Sequence, residues 1–365
     1  MALPKEFISI CFNEALKGKG RVSPNPLSGA VIVKNGNIIS KGFHKSFGSP
    51  HAEISALKKA GSKAKNSTLY LTLEPCTHFG KTPPCADEII KSGVKKVVVS
   101  MLDPNPMFEG KGISKLRNHG IQVETGILKD EAEELNKFAM KYNQSNIPYV
   151  TLRIIRSLDD ALTCSSKGKN KWICQETKNF IYELRNEYDA VLIGRNLARI
   201  ENPSLKVKNS KQRQPYRIVL DTNLSLPTNL RLFRDEQREL TIIIAGSHME
   251  GSKKGDSLEK RGTRVIYAKR NPHQSLNLDS VLAELGRINL SSLLVEGGRQ
   301  IFSSFIRQNL FDELNNILVP KFVGNGFGSA FTLGNFNDTR KNGLKFCKTE
   351  KLGDDLLLVF KNENL

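Results

Sequence analysis

Between His51 and Cys85 the chain supplies one imidazole, two thiols and one carboxylate from two separate places. The first is His51-Ala52-Glu53. The second is Cys76-Thr77-His78-Phe79-Gly80-Lys81-Thr82-Pro83-Pro84-Cys85, with a thiol at each end. Two thiolates balance the charge of Zn²⁺, and one neutral imidazole leaves the fourth position for water. Water held in this way ionises near neutrality, far below its bulk pKa. Glu53, two residues from His51, is placed to take that proton and deliver it to a leaving nitrogen. The alternative is a structural zinc site with Glu53 as a helix-start acid. Structural sites take four protein ligands, and the further candidate, His78, lies between the cysteines.

A His-x-Glu followed by Pro-Cys is the signature of zinc deaminases of nucleobases, in which two residues separate the cysteines. Here eight do, and they bring His78, Lys81 and Thr82 to the rim as groups able to bond a substrate. Further polar candidates are Asn25 between two prolines, His44, and Asp103 with Asn105 in Asp103-Pro104-Asn105-Pro106. Each alone is also ordinary turn chemistry. Their recurrence in loops around one zinc site favours binding.

These groups need a frame that brings the two places together. Helical spacing covers residues 6–17, and Gly29 to Lys34 and Asn37 to Ser40 form a hairpin around Asn35-Gly36. A helix from His51 to Ala60 starts just after Pro50, Thr68 to Leu73 is a strand, and Pro83-Pro84 open a helix through Lys91. Val97 to Val99 is a buried strand, Ile113 to Asn118 a short helix, and a further helix carries Glu131, Glu133 and Glu134. A hairpin followed by alternating helices and strands predicts a three-layer α/β domain. In it two helix N-termini converge beside a strand end, which favours thiolate at Cys76 and Cys85.

With 365 residues the chain calls for two domains, and Tyr142 to Pro148 reads as the linker, giving domains 1–145 and 146–365. Later strands are expected at 149–155, 189–193, 216–221, 240–245, 264–268, 291–296 and 314–319, with helices near 175–187, 279–288 and 299–308. The residues from Asp354 to Phe360 form a last apolar run. This alternation means a largely parallel sheet covered by helices. Glu296-Gly297-Gly298 follows a strand and opens a helix, which suits either an anionic group or a plain strand–helix turn.

The composition, 39% hydrophobic, is that of a soluble globular protein, and no apolar run of about 18 residues marks a membrane span. The N-terminus lacks a signal-peptide core, and six cysteines make no disulfide framework, so a cytoplasmic location is expected. The net charge of +18 is scattered, without a basic stripe interleaved with aromatics. It fits a lysine-rich surface better than a nucleic-acid partner, although a tRNA or nucleoside deaminase is the rival it suggests. A homo-oligomer is the expected assembly.

The sequence resembles the bifunctional riboflavin-biosynthesis deaminase/reductase family commonly called RibD. The matching motifs are Pro24-Asn25-Pro26, Gly42-Phe43-His44, Pro50-His51-Ala52-Glu53, Leu73-Glu74-Pro75-Cys76 through Cys85, and Asp103-Pro104-Asn105-Pro106. The resemblance implies a cytidine-deaminase-like domain that deaminates 2,5-diamino-6-ribosylamino-4(3H)-pyrimidinone 5′-phosphate. His51, Cys76 and Cys85 would hold zinc and Glu53 would shuttle protons. Asn25, His44, His78, Lys81, Thr82, Asp103 and Asn105 would contact the substrate. Ser28 departs from the family's usual Val.

The second half resembles the family's dihydrofolate-reductase-like domain, which uses NADPH to open the ribosyl group to ribityl. Its matching scaffold includes Ser157-Leu158-Asp159, Trp172-Ile173, Gly194, Arg217 through Asp221, Val295-Glu296-Gly297-Gly298 and Asp312-Glu313-Leu314. The implied cofactor and substrate contacts are Arg153, Ser157, Asp159, Trp172, Gly194, Asn202, Asp221, Glu296, Gly297 and Gly298. Several positions depart from the pattern. Arg153 replaces Lys, Asp160 replaces Gly, Cys174 and Leu197 replace Thr, Asn202 replaces Asp, and Lys208 replaces Arg. Lost hydroxyls, charges and bidentate geometry make a deaminase with a scaffold-only second domain the alternative.

Overall fold

A computed structural model describes residues 3–79, 83–162, 172–208, 213–324, 329–331 and 343–363. Chain contacts divide it into two units, Met1–Asn146 and Ile147–Leu365.

The first unit runs α1 (Pro4–Leu16), β1 (Gly29–Lys34), β2 (Asn37–Phe43), α2 (Ala52–Ala60), β3 (Thr68–Leu73), α3 (Cys85–Lys91), β4 (Lys96–Met101), α4 (Lys111–Asn118), β5 (Gln122–Thr125), α5 (Lys129–Leu135) and α6 (Lys137–Ser145). Its sheet has the order β2-β1-β3-β4-β5, with β1 antiparallel to both neighbours and the rest parallel. Asn35 and Gly36 both sit at positive φ, 51° and 78°, as a two-residue hairpin turn requires. Along β1 the side chains alternate. Ala30 and Ile32 pack with Ala52, Ala56, Ala86, Ile89 and Leu116 of α2, α3 and α4. Val31 and Val33 pack with Phe7, Ile8 and Cys11 of α1 on the other face. This is the expected three-layer arrangement. Each fully buried Ile or Leu in these layers contributes roughly 1.5–3 kcal/mol.

Two expectations change here. The stretch from Tyr142 is not linker, since α6 continues to Ser145. Its polar residues lie on a half-exposed helix, where sequence alone looks the same as loop. β5 is short and mostly exposed, so no apolar run announces it.

The second unit runs β6 (Tyr149–Ser157), α7 (Gln175–Glu187), β7 (Ala190–Gly194), α8 (Arg195–Glu201), β8 (Tyr216–Leu220), β9 (Thr241–Gly246), α9 (Lys253–Glu259), β10 (Arg264–Ala268), α10 (Leu278–Arg287), β11 (Ser292–Val295), α11 (Arg299–Arg307), β12 (Glu313–Val319), β13 (Leu344–Leu352) and β14 (Asp355–Asn362). Among the described residues nine strands form one sheet, in the order β10-β9-β8-β7-β11-β6-β12-β14-β13. It is parallel from β10 to β12, and β14 and β13 then add antiparallel at one edge. The buried core joins Val150, Leu152, Ile154, Leu192 and Leu293 of the strands to Val281, Leu285, Phe302 and Phe305 of α10 and α11. β13 was not foreseen, because almost every residue in it is exposed and none alternates toward a core.

Candidate active site

α2 is brought onto β2 by Gly42, where a Cβ would lie 2.2 Å from the Ala52 carbonyl. That approach sets the helix start. His51 is its N-cap residue, in extended backbone, and Glu53 follows in the first turn. Cys85 is the first residue of α3, and Cys76 lies beyond the end of β3. The His51 Nδ1 atom faces both sulfurs, 3.2 Å from Cys85 Sγ and 3.7 Å from Cys76 Sγ. The three donor atoms all lie within 4.8 Å of one another. Zinc bonds of about 2.0–2.3 Å at tetrahedral angles need donor separations of roughly 3.6–3.8 Å, so the set fits that ion.

The protonation pattern agrees. Sharing with the Cys85 thiol, together with His51 and the Cys85 N–H, lowers the Cys76 thiol despite burial. The same sharing, burial and the Glu53 carboxylate push Cys85 up. Two adjacent thiols, one buried and one half-buried, resist ionising together unless a cation sits between them. Glu53 is 6% exposed, and burial raises its pKa against the pull of His51. A carboxyl raised in this way is suited to accept and return a proton.

These groups line a cavity of about 340 Å³ with Asn25, His44, His78, Asp103 and Asn105. Cys85 is fully buried behind it. Lys81 and Thr82 lie outside the described residues. His44 is 1% exposed, and burial first, with His51 adding, lowers its pKa, so it stays neutral. Its Nδ1 lies 3.3 Å from the Pro50 carbonyl and its Nε2 3.3 Å from Asn25 Nδ2. One tautomer satisfies both: Nδ1–H donates to Pro50, and Nε2 accepts from the Asn25 amide. The Asn25 oxygen is then left as an acceptor.

Asp103 Oδ1 accepts the Asn105 N–H at 2.9 Å, and Asn105 Oδ1 accepts the Met107 N–H at 3.0 Å. Turn chemistry and cavity lining therefore coincide in the same two residues. Sequence reasoning missed Phe108, whose ring stacks on His78 with centroids 4.1 Å apart. It also missed the lining residues Phe47, Ser49, Tyr142 and Asn143. None belongs to a chemically distinctive spacing, and only the fold brings them in.

In the second unit a smaller cavity, about 140 Å³, is lined by Arg153, Lys178, Tyr182, Arg185, Leu197, Glu201, Glu296 and Gly297 among others. Glu296 is a buried carboxylate. Its Oε1 accepts from Arg185 Nε at 2.8 Å, and its Oε2 from Arg185 Nη2 at 2.6 Å and Arg153 Nη2 at 2.8 Å. Burial would raise its pKa, but the two guanidiniums hold it at about 2. Burial lifts Glu201 to about 7, with Arg153 opposing. Lys178, Arg185, Tyr182 and Glu201 were not among the expected residues, because their helices offer no pattern beyond amphipathicity.

Of the ten residues expected at a cofactor or substrate site here, Arg153, Glu296 and Gly297 line this cavity and seven do not. Ser157 and Asp159 bond each other in a turn, where Asp159 also accepts the Val323 and Gly324 N–H groups. Asp221 is 1% exposed and accepts from Ser225 Oγ and the Leu226 N–H. Asn202 ends α8 at φ 44° and accepts the Arg231 N–H at 2.7 Å. Trp172 packs beside the apolar cluster of Ile155, Ile181 and Leu357. Gly194 caps α8 against the Ile301 side chain, while Gly298 caps α11 with open space where a Cβ would project. That helix start, without a side-chain cap, fits a phosphate group. Asp160, where the resemblance expects Gly, keeps the left-handed backbone at φ 63° and accepts the Ala330 N–H. The substitution is thus accommodated within the turn.

The fold and the first site together define an enzyme of the zinc-dependent deaminase class, followed by a second α/β unit. The description "Cytidine and deoxycytidylate deaminase zinc-binding region" matches residues 1–101, and "RibD C-terminal domain" matches residues 148–358. The riboflavin biosynthesis protein RibD of Aquifex aeolicus is 40% identical over 361 residues, 98% of each chain. A solved Thermotoga maritima structure, a diaminohydroxyphosphoribosylaminopyrimidine deaminase/5-amino-6-(5-phosphoribosylamino)uracil reductase, superposes with a TM-score of 0.86 at 34% identity, covering 98% of both chains. Acinetobacter baumannii RibD superposes with a TM-score of 0.87 at 29% identity over 98% of both. The chain belongs to the RibD family of bifunctional riboflavin-biosynthesis enzymes, whose reductase domain uses NADPH. Among the described residues no helix is long and apolar enough to cross a membrane.

Proposed function

We propose that the chain hydrolytically deaminates a phosphorylated diaminopyrimidinone at the first site and reduces the ribosyl group of the product at the second. The observation that carries the first step is the meeting of His51, Cys76 and Cys85 beside the buried Glu53, at the wall of a cavity of about 340 Å³. Held by the two thiolates and the imidazole, zinc would supply the Lewis acidity that lets water attack near neutral pH. Glu53 accepts the water's proton as the carbon–oxygen bond forms, and returns it to the exocyclic nitrogen as the carbon–nitrogen bond breaks and ammonia leaves. The Asn25 oxygen, His78, and the free atoms of Asp103 and Asn105 hold the ring, and the neutral His44 fixes Asn25. Phe108 backs His78. The boundary between the two functional domains falls at the end of α6.

In the second unit NADPH, when bound, supplies the hydride. The start of α11 at Gly297-Gly298 would hold a phosphate of that cofactor, and Arg153, held by Glu296, would meet the substrate from the cavity wall. The substitutions at Asp160, Leu197 and Asn202 do not remove the Arg153–Glu296–Arg185 array. We place the enzyme in the cytoplasm, acting as a homo-oligomer on a small-molecule substrate. The test is ammonia release from the diaminopyrimidinone phosphate before and after zinc chelation. Chelation should abolish release and added Zn²⁺ restore it; release that survives complete metal removal would rule the reading out.

A further inference from the structure

Glu74 follows β3, two residues before Cys76, and is 4% exposed. Its carboxylate accepts four backbone N–H bonds. Oε2 takes those of Asp103 at 3.0 Å and Gly110 at 2.9 Å, and Oε1 those of Gly112 at 2.7 Å and Ile113 at 3.1 Å. These donors stand at the two ends of the 103–110 loop, Asp103 at its start and Gly110 with the first turn of α4 at its end, and that loop carries Asp103, Asn105 and Phe108 into the cavity. Gly112 permits the approach, since a Cβ there would lie 2.1 Å from the Pro75 carbonyl. On its other side the loop is held by the stack of Phe108 on His78.

We propose that Glu74 is a positioning residue for deamination: it clamps the substrate-contacting loop to the segment that carries the Cys76 ligand. The proposal rests on the reading of Asp103 and Asn105 as substrate contacts. A carboxylate is the only side chain of this length that offers two acceptors to two pairs of donors. In Glu74→Gln one pair of N–H groups must face an amide NH₂, whichever way the amide turns. In Glu74→Asp the charge stays, but the shorter arm cannot reach both pairs.

The experiment measures kcat, KM, zinc content and hydrogen exchange on the full-length zinc-loaded protein. For Glu74→Gln the expected result is KM raised roughly tenfold or more, kcat within about threefold of wild type, and zinc content unchanged. Amides of 103–113 should exchange faster while those of α2 and β3 keep their protection. A fall in kcat with KM unmoved, or unchanged exchange in 103–113, would overturn the proposal. If Glu74→Gln does not fold, Glu74→Asp is read by the same two measurements, with the same direction expected. Asn105→Ala separates the premises. KM unmoved in that variant overturns the loop's assignment to substrate. KM raised there but unmoved in the Glu74 variants overturns the role of Glu74.

Discussion

Replacing Glu296 by Gln tests the electrostatic core of the second unit. The side chain is 3% exposed, and its partners Arg153 and Arg185 are 11% and 14% exposed. Gln keeps the shape but leaves two guanidiniums beside an amide, one of whose atoms is itself a donor. The folded pKa of about 2, against an ordinary 4.5, corresponds to about 3 kcal/mol of stability at neutral pH. Breaking a buried ion pair costs a similar amount, about 3–5 kcal/mol. Because the folded pKa is depressed, this contribution is complete above about pH 4.5 and is lost as pH falls through about 2. The assay is urea unfolding followed by tryptophan fluorescence. Trp172 is the only tryptophan and packs in the second unit, so the signal reports that unit alone. With a slope of roughly 3 kcal/mol per molar urea, the midpoint should fall by about 1 M at neutral pH, and the gap should narrow toward acid. A midpoint unchanged by the substitution, or a gap that does not depend on pH, would refute the reasoning.

Two further outcomes follow from single side chains. Glu53→Gln should lower kcat for deamination by about 10²–10⁴ with zinc content unchanged, because Glu53 moves protons and is not a ligand; loss of zinc on substitution, measured by atomic absorption, would contradict that role. Glu201, lifted to about 7 by burial, is protonated in the folded state and must ionise as pH rises, so it progressively costs stability between about pH 4.5 and 7. The melting temperature of Glu201→Gln relative to wild type should therefore rise from about pH 5 to pH 8, and a flat difference would count against the burial of that carboxyl.

The first site was legible because its chemistry is carried by rare residue types at fixed spacings. His51, Glu53, Cys76 and Cys85 meet as the helix starts and strand end required, and Asn25, His44, His78, Asp103 and Asn105 all line one cavity. Phe108 and Tyr142 escaped because an aromatic in a loop or on a helix has no periodicity that points to a cavity. Glu74 was visible only as part of a motif, since four backbone donors leave no trace in the sequence. In the second unit the strands from β6 to β12 were readable from their apolar runs, whereas β13, exposed along almost its whole length, was not. The expected site there dispersed for a related reason. Asp221, Asn202 and Asp159 spend their oxygens on local N–H groups, and turn chemistry of that kind looks the same in sequence as ligand chemistry. The groups that do line the cavity, Arg185 and Glu201 among them, come from helices whose polar positions carry no signature.

On the proposed function one chain performs both steps, deamination and then reduction. The measurement that tests it most directly supplies the diaminopyrimidinone phosphate and NADPH to a single zinc-loaded preparation, and follows ammonia release and NADPH oxidation together. Ammonia should appear first, with NADPH oxidation following it to an equal amount. Ammonia released in full while NADPH is not consumed would contradict the claim and leave the second unit without its reaction.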